Sequence, residues 1–310
     1  MILVERLRCS RMRAVKDHSY FSDRRRRRIF GRVNLAPDSN TGTELSARGR
    51  RSPKETTTLD QADDFGCAGF CEDCDRIHSL PVGQARFYAE NLMREFECIQ
   101  RLDYLANPTE TQPRLSFHRL FPRGRGHMFG VLECQNQQGE RVVLRAFSSL
   151  HDGIREVEGW VPPLLSAENF FGTVLPAQKV ILELTEEIKA EPLGSNSYQD
   201  LLLERKAVSQ ELLQTMQALY RFHNFRGEAR GLKDAFLGSG RIPGGVGECC
   251  APKLLNHAVL HKLKPLGIAE FYWGGVSASG KRRSGQFYSA CASRCEPVLG
   301  FMLCGLDHVE

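Results

Sequence analysis

Apolar residues recur at intervals of three and four at Ala85, Tyr88, Ala89, Leu92, Met93, Phe96 and Ile99. That spacing lines up one side of a helix, so residues 81–99 are predicted to form an amphipathic helix lying on a core. The pattern then changes. Residues 128–134 and 141–147 are near-continuous apolar runs separated by a polar turn containing Gly139, which predicts a hairpin. A third strand is expected over 266–273. Between hairpin and strand, Leu201, Leu202, Val208, Leu212, Leu213, Met216, Leu219 and Tyr220 form a helical stripe with charged residues between them. With an earlier helical stretch and a break at Pro192, the stripe predicts an inserted helical hairpin over about 174–223. Trp160 sits in a segment stiffened by Pro162 and Pro163 and is expected to fill a core. The fold class expected is α+β, or α/β: a small sheet with a hairpin, flanking helices and the inserted helical hairpin. A single globular domain over 63–306 would contain all of it.

Composition alters this picture at one end of the chain. The 310 residues are 41% hydrophobic and 25% charged, ordinary for a chain long enough to bury a substantial core. The net charge of +5 is uneven, because residues 1–54 hold 15 Lys and Arg against 5 Asp and Glu, a net of +10. The remainder carries −5, so nucleic-acid binding by the body has to rest on local clusters. Residues 1–62, with arginine at every position from 24 to 28, are expected to be a disordered basic leader. A cytoplasmic location is expected, with a mitochondrion or plastid as the alternative if the leader is a targeting segment. No apolar run reaches the roughly 18 to 20 residues of a membrane helix, so no membrane partner is expected.

Eleven cysteines without a secretory signal argue for metal binding or buried thiols rather than a disulfide framework. Two groups qualify as zinc ligands. Cys67, Cys71, Cys74 and His78 fall within twelve residues, with Gly66 and Gly69 read as allowing tight turns, and a Cys3His set suits tetrahedral zinc. Cys249, Cys250, Cys291 and Cys295 lie on two short motifs with the 266–273 run between them. For both groups the alternative is free, partly buried thiols.

Phosphate contacts are sought where arginine alternates with aromatic residues. Arg221 and Arg226 stand among Tyr220, Phe222, His223 and Phe225, while Lys281, Arg282 and Arg283 precede Phe287 and Tyr288 in a Gly- and Ser-rich loop. Guanidinium groups beside aromatic faces suit single-stranded nucleic acid. These five are the candidate RNA-binding residues. The bland reading of each cluster is a solvated face.

Several motifs, in order, carry a resemblance: residues 125–132, 143–148, 159–164 and 219–228, then 247–255, 270–274 and 291–300, the last beginning Cys291-x3-Cys295. Together they are similar to the N-terminal extension fused to some bacterial RluA-type RNA pseudouridine synthases, and to free-standing versions of it. The resemblance spans about residues 65–306. It implies an accessory RNA- or protein-binding module in RNA modification, with RNA and an RluA-type synthase or another RNA-modification protein as partners. Synthase catalysis itself is not expected. The family's catalytic His-Arg-Leu-Asp motif is matched only by His118, Arg119 and Leu120, followed by Phe121, so the nucleophile is absent and no catalytic residue is assigned.

A second resemblance concerns the order hairpin, helix opened at Cys250 and Ala251, strand over 266–273, and helix opened at Cys291 and Cys295. This order is similar to the zinc deaminase core, and it implies a zinc-dependent hydrolase acting on a nucleobase. That family places a Glu two residues after its first ligand, whereas Pro252 stands two after Cys250. Its later ligands are spaced Cys-x2-Cys, not Cys-x3-Cys. Glu248, directly before the cysteines, or Glu270 on the strand could supply a carboxylate, but neither sits where that family places it.

Overall fold

The computed structural model describes residues 65–106, 109–238 and 240–308. The basic leader expected over 1–62 lies outside the described residues. A hairpin of β1 (Phe65–Cys71) and β2 (Arg76–Pro81) comes first, followed by α1 (Ala85–Ile99), where the three-and-four spacing predicts a helix. The expected hairpin follows as β3 (His127–Gln135) and β4 (Arg141–Phe147). Two 24-residue helices, α2 (Ala167–Ala190) and α3 (Asn196–Leu219), pack against each other. A short hairpin of β5 (Arg221–His223) and β6 (Ala229–Gly231) leads into α4 (Leu232–Ala235). Then come α5 (Cys250–Leu260), β7 (Lys264–Trp273), β8 (Gln286–Phe287) and α6 (Glu296–Leu303). The fold is α+β.

The main sheet has the order β4-β3-β7-β8 with every neighbouring pair antiparallel. Strand alternation divides its side chains between two cores. Phe129, Val131, Ala269, Phe271 and Trp273 face α1 and meet Leu92, Phe96, Phe117 and Trp160. Phe96 sits 4.5 Å from Phe117 and 4.8 Å from Phe129, ring centre to ring centre, both near edge-to-face. Trp160 does fill this core, and its indole N–H donates to the Leu102 carbonyl. On the other face Leu132, Cys134 and Ile268 meet Leu254, Leu255 and Ala258 of α5 and Val298, Leu299 and Met302 of α6.

The structure corrects the sequence reading in three places. The inserted hairpin starts at Ala167, because the Ser166 side chain accepts from the Asn169 amide and caps α2 there. Its second helix stops at Leu219; Tyr220 is extended and Arg221–His223 pairs as a strand, which buries Tyr220 and Phe222 on one side by alternation. Gly66 and Gly69 lie in a strand rather than in turns. A Cβ at Gly69 would fall 2.3 Å from the Gly300 amide nitrogen, and one at Gly300 would meet the Phe70 carbonyl, so these glycines let α6 lie directly on β1.

A methyl group at Gly300 has only backbone to push against. Gly300→Ala should therefore destabilise the protein by about 1–3 kcal/mol or more. Gly172, in α2, has no atom of the described residues within 4 Å of an added Cβ, and Gly172→Ala should gain up to about 1 kcal/mol from helix propensity. Thermal melts of the two variants should move in opposite directions. Equal shifts would mean that α6 does not press on β1.

Candidate metal centres

The x3 spacing of Cys291 and Cys295 is one helical turn. The Cys295 amide donates to the Cys291 carbonyl at 3.0 Å, which puts the two thiols on the same side, 3.3 Å apart, just ahead of α6. Cys249 is the extended residue that caps the start of α5, and its sulfur lies 4.0 Å from that of Cys291. All three sulfurs fall within 4.8 Å of one another. Zinc–sulfur bonds of about 2.3 Å set tetrahedral S–S edges of about 3.8 Å, so the thiols fit three corners of such a site. Cys295 is buried, whereas Cys249 and Cys291 are partly exposed.

Cys250 is not part of this group. Successive residues at a helix start point about 100° apart, and the Cys250 thiol turns to the sheet, donating to the Met128 carbonyl at 3.3 Å. Hydrogen bonding among the three thiols pushes Cys291 well down and Cys249 and Cys295 up. The N-terminal ends of α5 and α6 favour a thiolate there.

Two carboxylates flank the trio. Glu270, on β7 and facing α5, is 5% exposed, and its Oε1 accepts from the Ala251 amide at 3.0 Å. Burial pushes its carboxyl up to about 7; the Cys291 charge adds to this, and the Ala251 amide and Arg282 oppose it. Glu248, just before Cys249, accepts from Arg155 at 2.9 Å and from the Tyr220 hydroxyl, with the Lys253 ammonium 3.9 Å away. Burial acts to raise Glu248, but Lys253 and Arg155 outweigh it and hold the carboxyl below the usual range. This buried ionic group fixes the backbone from which Cys249 projects.

A second group forms at the other end of α6. Cys71, Cys74 and His78 come together, joined by Cys304 rather than by Cys67, with one donor atom of each within 4.8 Å of the rest. Cys67 is in β1, four residues before Cys71. Extended chain separates them by roughly 13 Å, and Cys67 enters the core shared with α5 and α6. Sequence spacing could not find Cys304, which lies 230 residues from Cys74 and follows an apolar helix like any buried cysteine.

The candidate phosphate contacts divide in the same way. Arg226 is exposed, but its Nη2 donates to the Cys74 sulfur at 3.0 Å. Arg221, Lys281 and Arg283 are exposed and have no ion pair among the described residues. Arg282 lies over the Tyr288 ring, 5.8 Å from its centre. The Tyr288 amide donates to the Glu270 carbonyl, so the 281–283 loop stands at the edge of the three-thiol group.

Comparison with known proteins adds no relative. No family model matches the chain, and neither a curated protein nor a solved structure matches it. Among the described residues no helix is long and apolar enough to cross a membrane.

Glu270 predicts a pH signature in metal-free protein. A carboxyl at about 7 when folded and 4.5 when free keeps a proton in the native state that the unfolded chain releases, so stability falls as pH rises across that window. The gap amounts to about 3 kcal/mol. Denaturation midpoints followed from pH 4.5 to 7 should decline in the wild type and stay flatter in Glu270→Gln. An unchanged slope in the variant would assign the decline to another group.

Proposed function

We propose that the protein is a zinc-bearing accessory module of RNA modification that binds single-stranded RNA along the 281–288 loop. The observation that carries this reading is the placement of Lys281, Arg282 and Arg283, with Tyr288 beside them, at the edge of the three-thiol group. Lys281 and Arg283 have no ion pair among the described residues and can meet phosphate, and Tyr288 offers a ring on which a base can stack. The resemblance to the extension of RluA-type synthases supports RNA as the ligand and a synthase or another RNA-modification protein as the partner. Arg226 is not needed for this role. Its guanidinium serves a thiol, which leaves Arg221 and the loop as the phosphate contacts.

A second reading, hydrolytic deamination of a nucleobase, is favoured by Glu270. With Cys249 as the first ligand, the position two residues on is Ala251, and the Glu270 carboxylate is hydrogen-bonded to that amide. The strand thus delivers a carboxylate to the helix turn where zinc deaminases carry theirs. Zinc in the three-thiol site would supply an activated water at its fourth corner. Cys249, Cys291 and Cys295 would hold the ion. Glu270 would accept and return a proton at its carboxylate.

Fluorescence anisotropy with an unstructured RNA oligomer tests the first reading. Replacing Lys281, Arg282 and Arg283 with Ala together should weaken binding at least tenfold at low salt and flatten the salt dependence by about two in log–log slope, from about 0.7 per lost contact. Binding that ignores both salt and the triple substitution would end that reading. Ammonia release from cytosine- or adenine-containing RNA, lost in both Cys291→Ser and Glu270→Gln, would establish the second; RNA retention without ammonia would leave only the first.

A further inference from the structure

The group at the far end of α6 differs from the three-thiol site in being complete. Cys74 lies in the turn of the first hairpin, Cys71 and His78 stand on its two strands, and Cys304 follows α6. The Cys74 and Cys304 sulfurs are 3.5 Å apart. Cys71, His78 and Cys304 are buried, and His78 Nε2 is a buried nitrogen without a hydrogen-bond partner among the described residues. A buried imidazole nitrogen left unpaired beside three thiols has the environment of a ligand, not of a packed side chain. The β5–β6 turn closes over the group. Asn224 folds that turn by accepting from the Arg226 and Glu228 amides, and the Phe225 amide donates to the Cys304 carbonyl at 2.9 Å.

We propose that Cys71, Cys74, His78 and Cys304 bind a structural zinc ion, with Arg226 as the outer partner that bonds a ligand sulfur. Three thiolates and an imidazole around Zn²⁺ carry a net charge of −1, and the Arg226 guanidinium at 3.0 Å from the Cys74 sulfur cancels it. Four protein ligands fill a tetrahedral ion and leave no position for water or substrate, so this centre holds structure and does no chemistry. It joins the first hairpin, the end of α6 and the β5–β6 turn, three segments far apart in sequence. The assignment is independent of the three-thiol site.

Cobalt(II) titration of the full chain carrying Cys249→Ala and Cys291→Ala isolates this centre. One equivalent should bind, with thiolate-to-cobalt charge-transfer bands and the intense visible bands of tetrahedral cobalt, and zinc should displace it. In that background Cys304→Ala should abolish the tetrahedral spectrum. Cys304→His should keep one equivalent with weaker charge transfer, which separates loss of a ligand from failure to fold. Arg226→Gln should keep the spectrum but weaken binding about 10- to 100-fold. No bound cobalt in the Cys249→Ala and Cys291→Ala protein, a spectrum indifferent to Cys304, or a Cys74–Cys304 disulfide found by peptide mapping of freshly purified protein would each overturn the proposal.

Discussion

At Gly130 the central strand β3 runs so close to α5 that an added Cβ would lie 2.6 Å from the Cys250 Cβ. This gap sets how deeply the start of α5 sinks onto the sheet, and the three-thiol geometry depends on it. Gly130 pairs with Glu270 across the β3–β7 ladder, so the side chain that shares the gap with Cys250 is a carboxylate. With α5 at this depth, the Ala251 amide reaches Glu270 and Cys249 is left at the rim, facing Cys291. A one-residue slip of β7 against β3 would turn Glu270 to the opposite face, into the aromatic core around Phe96. The ladder register and the chemistry at the rim are therefore one constraint.

Around that rim the protein buries charge, which is costly without compensation. Arg155 and Lys253 are almost fully enclosed, and both serve Glu248. Arg155 also lies over the Phe170 ring at 3.8 Å and donates to the Leu165 carbonyl, while Lys253 donates to the Phe147 carbonyl. Removing one member of such a set strands the others in low dielectric, typically at about 3–5 kcal/mol. The group links the segment before α2, the end of α3, the edge strand β4 and α5. Its position next to Cys249 suggests that this ionic lock is there to hold a loop in one conformation, since apolar residues would hold the core as well.

How much was legible in the chain follows from the range of each signal. The β3–β4 hairpin and α1 carry their patterns within about twenty residues; the hairpin is where the pattern puts it, and α1 starts at Ala85 rather than at 81 because Pro81 ends β2. The β5 strand is hidden because Tyr220 extends the helical stripe of α3, and only the i, i+2 burial of Tyr220 and Phe222 marks the change to extended chain. Cys249 and Cys250 are neighbours of the same type, and which one faces the rim depends on where α5 begins. Cys67 and Cys71 looked like partners in a tight loop, but extended chain carries them apart. Cys304 has no local signal at all, because its partners arrive from the opposite end of the described chain. Arg226 looked like a phosphate contact since the sequence lists neighbours along the chain, and its sulfur partner is 152 residues away.

Helix α6 runs between Cys295 and Cys304, the residues flanking its two ends, so one eight-residue rod has a sulfur donor at each tip. Its length is about 12 Å, and its middle is pressed without slack against β1 through Gly300. A rod held this way cannot shift at one tip without moving the other. An ion that steadies one end therefore lowers the ordering entropy left to be spent at the other, and by reciprocity the same gain runs in both directions. Filling of the two centres would then be cooperative, and the closed one, though it offers no place for a ligand, would act as a distant control on the open one.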